Sequence, residues 1–127
     1  MGEKYVTGWA FEGAQRDALL ARFVPAYPDV VADHVTLWSD QEADAPLPQE
    51  TGGEIIGRAD DGQGVEAMVV RIGGTHGRPD GSTYHITWSL DRSRGRRGVE
   101  SNEVIARLGW TETGPIPIAL RPARFPK

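Results

Sequence analysis

Asp33-His34-Val35-Thr36-Leu37 and Tyr84-His85-Ile86-Thr87-Trp88 repeat one pattern 51 residues apart: histidine, apolar residue, threonine, apolar residue. β-branched and aromatic residues dominate both stretches, which predicts strands. Side chains alternate across a strand, so His34 and Thr36 share one face while Val35 and Leu37 share the other; His85 and Thr87 stand opposite Ile86 and Trp88 in the same way. If the two strands are near neighbours, four polar groups converge on one groove and four apolar groups enter the core. Ser and Thr make up 13 of the 127 residues. Two of three histidines carrying one at the second position onward is then a chance event of about 3%. Structural histidines with threonine neighbours are the plain alternative.

Outward from these strands, Tyr5 to Phe11 reads as a first strand. Leu19, Leu20, Phe23 and Val24 form an apolar stripe at helical spacing within residues 13–24, and Pro25 and Pro28 prevent its continuation. Val35 to Trp38 is the second strand, entered from His34. Residues 41–53, with Pro46, Pro48, Gly52 and Gly53, form a long polar loop of the kind used as a lid or binding segment. Residues 54–58 and 65–72 form a hairpin turned at Asp60-Asp61-Gly62. A Gly-rich loop over residues 73–81 leads into the strand Thr83 to Leu90, and a charged turn runs from Asp91 to Gly98. Ser101 caps a short helix carrying Val104, Ile105 and Leu108, which Gly109 ends in the left-handed conformation. Ile116 to Leu120 is a last strand, with Pro115 and Pro117 suiting a sheet edge. This order predicts one α+β domain over residues 1–127 built on antiparallel sheet.

Composition narrows the chemistry. Hydrophobic residues are 39% and charged residues 25% of the chain, ordinary for a folded domain, and no apolar run is long enough to span a bilayer. With no cysteine there is no disulfide, thiolate zinc site or cysteine nucleophile. The start Met1-Gly2-Glu3-Lys4-Tyr5-Val6-Thr7 lacks the basic and apolar regions of a signal peptide, and Val6 breaks the myristoylation pattern; a cytoplasmic location and no membrane partner are expected. The net charge of −4 divides unevenly. Residues 1–61 carry twelve acids and four bases, residues 62–127 six acids and ten bases. Such a chain is a poor partner for long duplex DNA, yet its second half can offer a basic face to a phosphate or a short nucleic acid.

The paired histidines suit phosphodiester cleavage, which needs a proton removed from the attacking oxygen and another delivered to the leaving oxygen. Imidazole is the side chain whose unperturbed pKa lies near neutrality, so two can divide those roles. Threonine hydroxyls and a nearby arginine can bond the non-bridging oxygens as charge develops. No metal or other cofactor is required.

On these eight residues, His34 with Thr36 and His85 with Thr87 in their apolar frames, the chain resembles the two-histidine (2H) phosphoesterase superfamily. The resemblance implies a bilobal α+β arrangement of antiparallel sheets, two helices packed outside and a central groove. It also implies metal-independent acid/base chemistry on 2′,3′-cyclic phosphates, 2′-5′ linkages, RNA ends or cyclic oligonucleotides. A protein binding such a nucleotide without cleaving it is the alternative, and a monomer is expected.

Further residues are candidates for binding. Trp38, four residues beyond His34, is placed on the same face as a stacking plane for a base. Trp88 is assigned to the core by the same parity, while Trp9 and Tyr5 stand on a strand whose face the sequence leaves open. Arg92 opens the cluster Arg92, Arg94, Arg96 and Arg97 directly after the second motif strand, where it can meet phosphate. Arg78, with His76, lies on the loop entering that strand, as a lid. A metal held by the three histidines with Asp33 or Asp80 ranks lower, because no compact ligand spacing occurs. Residues 73–77 lack the Gly-Lys-Ser/Thr of a P-loop, and no Gly-x-Ser-x-Gly turn is present.

Overall fold

Where the chain leaves one sheet for another determines this architecture. The computed structural model describes residues 3–127, so Met1 and Gly2, the first two residues of the start read above, lie outside the described residues. The elements follow in the order β1 (Tyr5–Ala10), α1 (Ala14–Arg22), β2 (Asp29–Val30), β3 (His34–Gln41), β4 (Gly52–Asp60), β5 (Val65–Arg71) and β6 (His85–Leu90). Two 3-10 turns (Arg92–Arg94 and Gly98–Glu100), α2 (Ser101–Leu108), β7 (Thr111–Ala119) and β8 (Arg121–Pro126) complete the chain. They build an α+β fold with two antiparallel sheets, ordered β3-β1-β8 and β2-β6-β5-β4-β7.

Residues 29–32 lie along β6, with Ala32 N–H donating to Thr87 O at 2.8 Å. Ala32, fully buried at φ 45°, then turns the backbone through a conformation side chains rarely adopt. From His34 the chain pairs with β1 of the other sheet. Thus the His34 strand and the His85 strand start from a common seam and belong to different sheets. β1 and β3 approach closely at Gly8, where a Cβ would stand 2.1 Å from Val35 O.

Two clusters hold the sheets. One joins Trp9 and Val35 of the first sheet, and Phe11 just past β1, to Ile55, Met68, Val70, Ile86, Trp88 and Ile118 of the second, with Leu19 of α1. The other packs Val104 and Ile105 of α2 against Val65, Ala67, Val69 and Leu90. Val35, Ile86 and Trp88 are therefore core residues, as their alternation predicts, and Leu37 packs against the same cluster.

Several boundaries differ from expectation. Helix α1 stops at Arg22, and Val24 is 67% exposed rather than part of the stripe, because a residue so close to Pro25 is turned away from helical backbone. β8 was not expected: Arg-Pro-Ala-Arg-Phe-Pro has no apolar alternation, yet it pairs with β1 as a sheet edge, where proline is tolerated. β7 begins five residues before the expected Ile116 and is likewise an edge. Ser101 does not cap α2; it is the first residue of that helix, and its hydroxyl meets Thr87. Gly109 ends α2 at φ 70°, ψ −151°, a glycine conformation outside the left-handed helical region.

Candidate active site

Between β3 and β6 lies a cavity of about 370 Å³ lined by His34, Thr36, His85 and Thr87, together with Arg78 and Arg92. Six of the seven residues picked out in the sequence meet there. Trp38 does not. It pairs with Thr7 while Thr36 pairs with Gly8, so Leu37 is an extra, unpaired residue in β3 and the alternation shifts beyond it. Ser39 takes the cavity position that Trp38 would have held, and Trp38 is left 39% exposed outside the lining.

The two imidazoles are held differently. His34 Nδ1 lies 2.5 Å from Asp33 Oδ1, and its ring tilts against Phe125 with centroids 5.3 Å apart. A carboxylate accepts, so Nδ1 donates, and Nε2 is the nitrogen left for a ligand. His85 Nδ1 donates to Thr83 O at 2.9 Å, which likewise frees Nε2. Burial pushes the His85 pKa below the ordinary 6.5; the Thr83 carbonyl and Asp80 oppose this, while the positive charges of Arg78 and His34 add to it. A neutral His85 with Nδ1–H carries its lone pair on Nε2, the form required of a base.

Arg78 is not a lid. Its side chain is 5% exposed, with Nη2 on Leu37 O at 3.3 Å and on Asp80 at 3.1 Å. The carbonyl that receives it belongs to the unpaired bulge residue of β3, so the irregularity that displaces Trp38 also anchors the arginine. Arg78 Nε is buried without a hydrogen-bond partner. A buried guanidinium N–H with no acceptor costs free energy. Asp80, also on the cavity wall, has its carboxyl held below the usual range by the Ser82 hydroxyl and backbone and by Arg78.

The threonines are equally unlike. Thr36 faces the cavity, and its hydroxyl has no partner among the described residues. Thr87 is already engaged, 2.9 Å from Ser101 Oγ and 3.4 Å from Gly98 O. Arg92 is exposed at the mouth, its backbone N–H on Asp29 at 3.0 Å. His76 packs edge-on against Trp110, centroids 5.1 Å apart, and does not line the cavity; Trp9 belongs to the core.

Sequence reasoning did not single out Ser39 or Asn102, and it named Asp33 and Asp80 only as possible metal ligands. Asp33 announces itself only as an acid next to His34. Ser39 becomes legible only once the bulge is known. Asn102, whose Oδ1 is buried in the cavity wall without a partner, sits on α2 with no motif around it. No family model, curated protein or solved structure matches this chain. Among the described residues, no three His, Asp or Glu side chains are grouped to hold a metal ion. No helix is long and apolar enough to cross a membrane.

Proposed function

We propose that this cavity is the centre of a metal-independent phosphoesterase acting on a nucleotide-type phosphodiester, with the two sheets serving as the lobes of a 2H-like arrangement. The observation that carries the reading is the convergence of both His-Thr pairs on one cavity that the buried Arg78 also lines. Phosphate oxygens are the acceptors that such a guanidinium and the free Thr36 hydroxyl would take.

The supports of the two rings suggest a division of roles: His85, enclosed and with its pKa lowered by burial, as the base, and His34, whose Nδ1 is bonded to Asp33, as the acid. A water oxygen attacks phosphorus and gives its proton to His85 Nε2. The bond from phosphorus to the leaving oxygen breaks as that oxygen takes the proton from His34 Nε2. Arg78 and Thr36 hold the non-bridging oxygens while the charge on them grows. A 2′,3′-cyclic phosphate, a 2′-5′ linkage, an RNA end and a cyclic oligonucleotide all offer this centre, and short RNA or nucleotides rather than duplex DNA are its partners.

The test is a panel of those four substrate types incubated with the protein and resolved by mass. Cleavage of at least one, retained after exhaustive chelation, is expected. Binding without cleavage across the panel would mark a nucleotide receptor instead.

A further inference from the structure

The catalytic cavity does not end at Arg92. A second, open cleft of about 530 Å³ continues from it over the turn after β6, lined by Leu90, Arg92, Gly95, Arg96, Arg97 and Gly98. Leu90, Arg92 and Gly98 line both spaces, so one ligand can occupy them together.

The four arginines of this turn divide into two kinds. Arg96 is structural: it reaches Asp61 at 2.9 Å, Glu100 at 2.6 Å and Gln63 O at 2.7 Å, which ties the turn to the β4–β5 hairpin and to the start of α2. Arg94 pairs with Asp91 at 3.1 Å and lines neither space. Arg92 and Arg97 form no ion pair among the described residues, and both residues line the cleft. A chain of net charge −4 thus places two guanidiniums that form no ion pair in an open cleft that joins the catalytic cavity. Concave walls concentrate such a field, and guanidinium matches phosphate through paired N–H donors.

We infer that this cleft is a second phosphate subsite, and that the substrate carries another phosphate beside the scissile one, as a nucleotide chain or a phosphorylated nucleotide does and a lone cyclic nucleotide does not. The inference rests on the reading of the cavity as a phosphoester site. Arg97 is its best probe, because it lies outside the catalytic cavity.

The experiment titrates adenosine 3′-monophosphate and adenosine 3′,5′-bisphosphate into the intact protein by calorimetry at low salt. The bisphosphate presents a second phosphate whichever of its two groups sits by the histidines. It is expected to bind about tenfold or more tightly than the monophosphate, the order of one or two charge-assisted hydrogen bonds. Arg97→Ala should remove most of that difference and leave monophosphate binding unchanged, while Arg94→Ala should preserve it. Equal affinity for the two ligands would overturn the subsite and leave the catalytic cavity standing as a phosphate site, as would an equal loss in both variants. Failure of both ligands to bind at millimolar concentration would overturn the cavity reading and the subsite together.

Discussion

The two His-Thr strands are alike in sequence and unlike in surroundings. His34 stands on β3, an edge strand, with its side chain 38% exposed, a carboxylate beside it and a free hydroxyl at Thr36. His85 stands on β6, inside the larger sheet, enclosed, bonded to a carbonyl, with Thr87 already committed to Ser101 and Gly98. Burial lowers the pKa of His85, and His34 stands half-exposed beside a carboxylate, so the two rings differ in burial and in bonding partner. The repeat in the sequence supplies a pair of groups, and the asymmetry of the fold is what the proposed division into base and acid rests on.

The largest expected effect is loss of either ring. His34→Ala and His85→Ala should each lower the rate of the chemical step by roughly 10²–10⁴-fold, with circular dichroism and melting showing the fold retained. Arg78→Ala comes next, because Arg78 is the buried cation of the cavity wall, anchored to β3 at Leu37 O and to Asp80. A fall in kcat/KM of about 10²-fold is expected from loss of its contact with the developing charge, together with a lowered Tm from the abandoned Leu37 carbonyl and Asp80 carboxylate. Single-turnover kinetics and thermal melts separate the two effects.

The threonines sharpen the contrast. Thr36→Val should slow turnover about tenfold with little change in stability, because its hydroxyl faces the cavity and bonds no other described residue. Thr87→Val should do the reverse, costing about 1–3 kcal/mol of stability by leaving the buried Ser101 hydroxyl short of a partner. Denaturant unfolding set beside steady-state rates reads both. The smallest effect is on pH dependence. Because burial lowers the His85 pKa, the folded protein binds fewer protons there than the unfolded chain, so stability is lost as pH falls from 6.5 through the lowered value. His85→Gln should remove that part of the decline, as measured by unfolding from pH 7.5 to 5, while the acid limb of wild-type activity should lie below 6.5.

Much of this site was legible because strand alternation is local. The faces of His34, Thr36, His85 and Thr87 follow from spacing alone, as do the core positions of Val35, Ile86 and Trp88 and the hairpin at residues 60–62. What was not legible depended on distant partners. The bulge at Leu37 arises from pairing with β1, and nothing in residues 34–38 announces it, so Trp38 was placed on the wrong face. Arg78 reads as a loop residue because its anchor is a carbonyl 41 positions away, freed by that bulge. β8 gains its strand character from an available edge of β1 rather than from its own alternation. Ser101 has the chemistry of a cap, but the preceding 3-10 turn runs straight into α2 and leaves the hydroxyl to Thr87.

The division of labour between the histidines is tested most directly by leaving-group dependence. Single-turnover rates of wild type, His34→Ala and His85→Ala are measured on a nucleoside phosphodiester with an alkyl leaving group and on its p-nitrophenyl counterpart, whose leaving oxygen departs without a proton. The His34→Ala defect should shrink to within about tenfold of wild type on the p-nitrophenyl ester, while the His85→Ala defect should persist on both, since the attacking water still needs its base. Rescue of His85→Ala instead, or equal defects of both variants on both esters, would contradict the assignment.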